Sequence, residues 1–246
     1  MSDRTILLRK ASLTCVLTML SAQMVFAAPA TSNHQDQRPA ASSAPQAKMD
    51  DFEVLPDRVL RRVARGDELA RLQRYDEALE EYRAANREAG HPIFTAYLNM
   101  GAMFFSKQDY SEAIEAFNQA LAVRPNSWQA HYNRAEALYA AEKYSEAEKE
   151  YRRVLELPSN ILRVQARHFL GLALYKQGRL VEAIAEYRAA IEQAAGKYSE
   201  ARYNLGIALL DHGQPQVAEQ EFRLAIELIE IGHKKEAHVL GQVGKR

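Results

Sequence analysis

Acid–base chemistry is the first kind that the charged residues could perform, because glutamates alternate with basic residues along several segments. One such segment holds Glu146, Lys149, Glu150, Arg152 and Arg153. At this spacing opposite charges lie three or four residues apart on the solvated face of a helix, where they attract one another. General acid–base catalysis would also need a pocket that holds a substrate beside the carboxylates, and the sequence predicts none.

The sequence also gives little support for a metal site or a phosphate-binding site. His233, Glu236 and His238 could ligate a metal, but their spacing fits no single helical face and a solvated tail is the simpler interpretation. The only cysteine, Cys15, lies in the N-terminal apolar stretch. No glycine-rich loop follows a strand pattern, so the sequence offers no phosphate or dinucleotide cradle. We predict a non-catalytic protein without cofactor or metal, and the zero net charge argues against a nucleic-acid partner.

The N-terminus has the pattern of a secretory signal. In residues 1–27 three basic residues precede a mostly apolar stretch from Ala11 to Phe26, and small residues follow. We predict cleavage near Ala27 and a periplasmic or secreted location. The alternative is a retained membrane anchor, although the stretch falls short of about 20 clean apolar residues. Residues 28–51 are rich in Ala, Pro, Ser and Gln, which predicts a disordered tether.

A repeat of about 35 residues organises the remaining chain. Two series of small residues recur with the same steps of 35, 34, 36 and 35 residues. The first series is Gly66, Gly101, Ala135, Gly171 and Gly206, and the second is Ala78, Ala113, Ala147, Ala183 and Ala218. Two landmarks that move in step through five units indicate five copies of one supersecondary unit.

Each unit reads as two amphipathic helices joined by a polar turn. We expect the glycine of the first helix to face the alanine of the second, because helices approach closely only where neither carries a bulky side chain. Oxygens near the start of the second helix are predicted to cap it, at Asp76, Ser111 and Ser145. Pro125 marks the end of the unit at residues 94–127.

This array resembles the tetratricopeptide repeat family. The unit at residues 94–127 carries all eight landmark residues of that family, namely Tyr97, Met100, Gly101, Phe104, Ala113, Phe117, Ala120 and Pro125. The other units depart from the pattern early in the first helix, where a large residue is replaced by Arg62, His131, Arg167 or Arg202. The resemblance implies an all-α fold, a right-handed superhelical solenoid of helix-turn-helix repeats with a concave groove for a peptide or protein segment.

The predicted repeat array spans residues 59–232. Its units are residues 59–92, 94–127, 128–161, 164–197 and 199–232. Residues 233–246 form a C-terminal extension, too short and too rich in glycine for a strong extra helix. The last unit would then leave an apolar end at Leu224, Ile226, Leu228, Ile229 and Ile231. Because repeat arrays need polar terminal faces, we predict self-association through this repeat.

In tetratricopeptide folds the first helices line the groove. By register, the resemblance assigns these positions to Leu98, Asn99, Ala102, Phe105, Tyr132, Asn133, Glu136, Tyr139, His168, Phe169, Leu172, Tyr175, Tyr203, Asn204, Ile207 and Leu210. The family's co-chaperone members hold an acidic peptide with lysines, but Val63 and Leu98 stand at those positions here. We therefore expect a neutral, partly apolar partner segment. Alternatively, Phe105, Tyr139 and Tyr175 are packing residues.

The function implied is a protein-interaction scaffold or adaptor in envelope complex assembly, secretion or cell-wall processes. A second interpretation is an adaptor that keeps its N-terminal apolar segment as a membrane anchor. A remote third is an enzyme or an accessory subunit of one.

Overall fold

The structure, a computed structural model, describes residues 55–158 and 162–243, with side chains described as far as Ile231. The predicted signal (residues 1–27) and tether (residues 28–51) lie outside the described residues. The chain divides into two compact units, residues 1–108 and 109–246. We describe each unit by itself.

All regular structure in the described residues is α-helical, which confirms the predicted all-α class. The helices are α1 (Asp57–Arg71), α2 (Tyr75–Ala89), α3 (Phe94–Ser106), α4 (Tyr110–Val123), α5 (Trp128–Ala140), α6 (Tyr144–Glu156), α7 (Arg163–Lys176), α8 (Leu180–Gln193), α9 (Ser199–Asp211) and α10 (Pro215–Val243). Odd-numbered helices are the first helices of the repeats and even-numbered ones are the second helices.

The first unit contains α1, α2 and α3, which pack against one another. Apolar residues spaced three or four apart place one face of each helix inside. Val59, Leu69, Leu79 and Tyr82 are buried between them.

The second unit contains α4 to α10, in which each helix packs against the next along the chain. The first helices α7 and α9 also contact each other directly. A continuous core extends from Tyr132 to Ala218, with the fully buried rings of Tyr151 and Tyr187 among its largest side chains. The first helices therefore lie side by side on a common core.

Three glycines of the first helices approach aromatic rings, a contact that the sequence did not predict. A Cβ atom added to these glycines would lie 2.6 Å or less from a ring atom. The pairs are Gly66 with Tyr82, Gly171 with Tyr187 and Gly206 with Phe222. The alanines Ala78, Ala183 and Ala218 are buried, but the ring determines how close the glycine's helix can come.

The predicted caps are wrong as well. Helices α2, α4 and α6 begin without a side-chain capping bond. The Ser145 hydroxyl instead donates to Oε1 of Gln177 at 3.0 Å, and Asp76 accepts from the Lys107 ammonium at 2.6 Å. These two residues link neighbouring repeats. A serine does cap α5, where the Ser127 hydroxyl accepts from the Ala130 amide.

The last helix is longer than predicted, because α10 passes Gly232 and ends at Val243. Glycine in a helix costs about 1 kcal/mol relative to alanine, which neighbouring helix-forming residues offset here. Several apolar side chains of α10 are 41–51% exposed, namely Leu224, Ile226, Ile229 and Ile231. Among the described helices, none is long and apolar enough to cross a membrane.

Candidate protein-interaction surface

The sixteen predicted groove residues lie on first helices, four on α3 in the first unit and twelve on α5, α7 and α9 in the second. Six are buried, namely Leu98, Asn99, Ala102, Tyr132, Asn133 and His168. Nine are partly buried, namely Phe105, Glu136, Tyr139, Phe169, Leu172, Tyr175, Tyr203, Asn204 and Ile207, and Leu210 is exposed. The buried side chains pack inside the protein in this conformation, and their part in binding stays a prediction.

Asn99 illustrates this packing role in the first unit. Its side-chain amide donates to Oδ1 of Asp67 at 2.8 Å. The Tyr82 hydroxyl donates to the same oxygen at 2.7 Å. The carboxylate of Asp67 on α1 thus accepts two hydrogen bonds, one from its own repeat and one from the next. Asn99 consequently joins two repeats, a structural use that the sequence did not indicate.

Glu136 occupies the position in the third repeat that Asp67 occupies in the first. The tyrosine of its repeat is again present as Tyr151, but the residue that matches Asn99 in the next repeat is Phe169. The amide donor is therefore missing. Within the part of the chain that the structure describes, Oε2 of Glu136 and the Tyr151 hydroxyl are buried and have no hydrogen-bond partner.

Aromatic rings surround this carboxyl. Tyr132 and Phe169 meet edge to face with ring centroids 6.1 Å apart. Phe169 stacks on Tyr151 at 5.9 Å with the two rings nearly parallel. The Tyr132 hydroxyl donates a hydrogen bond to Glu136. The predicted residues Tyr132, Glu136 and Phe169 are thus brought together on α5 and α7, and Tyr151 of α6 completes the set, which we call the Glu136 cluster.

Desolvation controls the protonation of the Glu136 cluster. Burial raises the pKa of Glu136 to about 8, and the hydrogen bond from Tyr132 offsets only part of this effect. Burial also raises the pKa of Tyr132 and of Tyr151, and the nearby carboxyl adds to both effects. Groups with strongly raised pKa values concentrate at functional sites, so the cluster is a candidate for contact with a ligand.

His168 forms a second junction between first helices. One ring nitrogen lies 2.9 Å from the Tyr198 hydroxyl and the other 2.7 Å from the side-chain nitrogen of Asn204. Burial lowers the pKa of His168 to about 4, so the ring is neutral at physiological pH. His168 and Asn204 therefore hold α7 to α9 through a neutral hydrogen-bonded pair.

The predicted tyrosines also make contacts of their own. The Tyr175 hydroxyl donates to Oδ2 of Asp211 on α9 at 2.5 Å. Tyr139 packs against Tyr144 with ring centroids 5.3 Å apart, and Tyr203 packs against Phe222 at 5.5 Å. These three rings combine packing with partial exposure. Tyr139 and Tyr175 can therefore be both packing residues and groove residues, the two interpretations that the sequence left open.

The arginine or histidine that stands early in four of the first helices has a role that the sequence did not indicate. Each one pairs with a glutamate nineteen residues later, on the second helix of the same repeat. The pairs are Arg62–Glu81 at 3.0 Å, His131–Glu150 at 2.7 Å, Arg167–Glu186 at 2.9 Å and Arg202–Glu221 at 2.5 Å. The repeat that has Tyr97 at this position has Ala116 nineteen residues later. This correlated change was the signal that could have revealed the pairs.

The described residues of the two units do not form a cluster of metal ligands. No group of three or more histidine, cysteine, aspartate or glutamate side chains converges among the described residues. The side chains of His233, Glu236 and His238 lie outside that part of the chain.

The family model described as tetratricopeptide repeat matches residues 63–122, 104–160, 162–198 and 170–230. The chain therefore belongs to the tetratricopeptide repeat family, as its resemblance implied. Proteins of this family serve as protein-interaction scaffolds and are generally non-catalytic.

Solved structures support the fold. MamA 41-end from Desulfovibrio magneticus RS-1 matches with a TM-score of 0.66 and 20% identity, over 72% of this chain and 97% of that one. YrrB, described as a TPR protein with an unusual peptide-binding site, matches with a TM-score of 0.60 and 25% identity, over 69% of this chain and 86% of that one.

One curated relative is similar in sequence. The Protein STIP1 homolog of Dictyostelium discoideum is 33% identical over 89 residues. The match covers 36% of this chain and spans only 15% of the length of that relative.

Proposed function

We propose that this protein is an exported, non-catalytic adaptor that binds an extended segment of a partner protein on the first helices of its second unit. The observation that carries the proposal is the recurrence of accessible apolar side chains at matching positions of successive first helices. Leu172 and Ile207 share one such position, and Tyr139, Tyr175 and Leu210 share another. A row of this kind suits the alternate side chains of an extended segment.

The second helices offer a contrasting surface. Their exposed faces carry ion pairs within one helix, such as Arg153 with Glu156 and Arg223 with Glu219. Exposed pairs of this kind add little stability but keep the surface hydrated. Since the buried core of an interface is more apolar than its rim, the first helices are the better candidate for binding.

The chemistry of the partner follows from the side chains at these positions. Val63 is partly buried and Leu98 is buried, so neither position supplies a cation for an acidic peptide terminus. An apolar segment fits the row better. The description of YrrB as having a peptide-binding site favours a peptide segment as the ligand.

The location is proposed from the N-terminal pattern. A cleaved signal would release the protein into the periplasm or the medium, where it would join peripheral envelope complexes in assembly, secretion or cell-wall processes. N-terminal sequencing of the mature protein tests this step. A mature chain that starts near Ala28 supports export, whereas a chain that retains Ala11 to Phe26 favours the membrane-anchored adaptor.

Affinity purification from envelope fractions tests the binding surface. We would compare the wild type with a Leu172→Gln, Ile207→Gln variant. The two substitutions preserve the approximate size of the side chains but make them polar. Val181→Gln is the matched control, because Val181 is 65% exposed on the second helix α8.

Loss of the same partners from the double variant alone, with an unchanged thermal unfolding curve, supports the proposal. Equal recovery of those partners by all three proteins would overturn it.

A further inference from the structure

We infer that Glu136 recognises a cationic side chain, lysine or arginine, of the bound segment. The inference rests on the proposed function and specifies the chemistry of the partner. It places one positive charge beside the apolar row, so the partner would carry a cation followed by apolar side chains.

The first argument is the difference between two matching positions of the repeat. Asp67 accepts hydrogen bonds from Tyr82 and from Asn99. At the matching position of the third repeat, the next repeat supplies Phe169 in place of the amide. Among the described residues, Oε2 of Glu136 has no hydrogen-bond partner. A buried polar atom without a partner costs about 1–3 kcal/mol, and a cationic donor that binds the ionised carboxylate would remove that cost.

The second argument is the character of the Glu136 cluster. Aromatic rings attract cations through their faces, and the attraction adds to that of a carboxylate. Phe169 and Glu136 are each partly exposed as whole residues, although Oε2 of Glu136 is itself buried. An ammonium or guanidinium group is therefore a better ligand for the cluster than a neutral donor.

The third argument is that neighbouring arginines are already engaged. Arg134 on α5 pairs with Glu150 at 2.6 Å. Arg167 on α7 pairs with Glu186 at 2.9 Å. The guanidinium charges of these two arginines are therefore compensated by carboxylates other than that of Glu136, and a cation for Glu136 is best supplied by the bound segment.

Burial supports this reading of the carboxyl. Because the pKa of Glu136 is raised to about 8, the free protein holds a proton there at neutral pH. A bound cation favours the ionised form. Binding at pH 7 should therefore release close to one proton, which calorimetry in buffers of different ionisation enthalpy can count.

The experiment uses a phage-displayed library of random twelve-residue peptides, selected on the full-length protein. The wild type should select apolar peptides in which lysine or arginine is enriched at one position. Glu136→Gln should keep the apolar preference and lose the enrichment. Phe169→Asn should lose it too, because the new amide would satisfy Glu136 as Asn99 satisfies Asp67.

A selected peptide then gives a quantitative check that does not depend on the stability of either variant. Replacing its cationic residue by norleucine should weaken binding to the wild type by at least about fivefold. The same replacement should leave the affinity for the Glu136→Gln variant unchanged. Binding of the norleucine peptide to the wild type should no longer release a proton.

The outcomes separate the inference from the proposed function. Apolar peptides without a cationic preference would overturn the inference alone, with a trapped water then satisfying Glu136. Failure of the wild type to select any peptide above background would overturn both.

Discussion

Tyr187 lies across Gly171 of the facing helix, so the largest side chain at this junction requires the smallest one opposite. The sequence predicted where the small residue recurs, because a fixed spacing is visible in one dimension. It did not predict the partner, because spacing alone does not say which side chain of the second helix turns toward the glycine. The same limit applies to Asn99, whose position was predicted and whose bond to Asp67 was not.

Substitution of Gly171 by alanine tests this junction. Alanine is the better helix former by about 1 kcal/mol, but its Cβ would lie 2.6 Å from the Tyr187 ring, and such overpacking costs about 1–3 kcal/mol. We expect Gly171→Ala to lower the free energy of unfolding, as measured by urea denaturation. In a Tyr187→Leu background the same change should become neutral or stabilising. An equal loss in both backgrounds would contradict the ring contact.

The Glu136 carboxyl should make stability depend on pH. Its pKa is raised to about 8 in the folded protein and is about 4.3 in an unfolded chain. Between these values the unfolded state loses its proton while the folded state keeps it, so stability falls as pH rises and levels off above the folded pKa. We expect the free energy of unfolding to fall by about 1.4 kcal/mol between about pH 7 and pH 9.

Glu136→Gln is the control for this dependence, since glutamine does not ionise and its curve should be flatter over the same range. His168 affects stability at acidic pH instead. Burial lowers its pKa to about 4, so its contribution to stability is lost as pH falls below about 6.5. A wild-type curve no steeper than that of the Glu136→Gln variant above pH 7 would refute the assignment.

At the scale of the helix pair, the residue early in the first helix of a repeat changes together with the residue nineteen positions later. Four repeats use an arginine or a histidine early in the first helix and a glutamate nineteen residues later, as in Arg202 with Glu221. The sequence of the remaining repeat has Tyr97 and Ala116 at these positions. Family landmarks predicted the helices and their order well. They treated the arginines as departures from the pattern, because a landmark at one position takes no account of a compensating residue at another.

Replacing the Arg202–Glu221 pair by the tyrosine and alanine of the remaining repeat tests this interpretation. Both side chains of the Arg202–Glu221 pair are largely buried, and loss of one partner leaves the other charge without compensation. We expect Arg202→Tyr and Glu221→Ala each to destabilise the protein by about 1–3 kcal/mol. The double variant should recover at least half of the summed loss. Additive losses in a double-mutant cycle would show that the two positions do not form a unit.

The turns between paired helices provide a second prediction at this scale. One turn position has positive φ in all five repeats, filled by Gln73, Gln108, Glu142, Gly178 and Gly213. Glycine adopts this conformation without strain, whereas other residues incur a cost. We expect Glu142→Gly to raise the free energy of unfolding by about 0.5–1 kcal/mol and Gly178→Ala to lower it by a similar amount. Changes of the same sign, as read from thermal unfolding, would contradict this account.

For the whole molecule, family membership explains the fold and the general role. The first and last of the described helices differ in the chemistry of their exposed side chains. Helix α1 exposes basic residues such as Arg58, Arg61 and Arg65. Helix α10 exposes apolar ones. Apolar side chains do not complement an arginine face, so head-to-tail association of α10 with α1 is disfavoured. Pairing between two copies of α10 brings apolar side chains together.

The comparison of two isoleucines supports self-association through α10. Ile191 on α8 is 8% exposed, because the next repeat covers it. Ile226 lies at the matching position on α10 and is 51% exposed, and Ile229 nearby is 44% exposed. Contiguous exposed apolar side chains of this kind mark interaction surfaces. A second copy of α10 would cover them as the next repeat covers Ile191.

We expect the purified protein to form a reversible dimer whose fraction rises with concentration in sedimentation equilibrium. Ile226→Glu combined with Ile229→Glu should shift it to monomer, because burying either charge against the partner helix would be unfavourable. Val181→Glu, at a position on α8 that is 65% exposed, is the control and should leave the dimer intact. A wild type that stays monomeric up to about 100 µM would set an affinity too weak for α10 to act as a dimer interface.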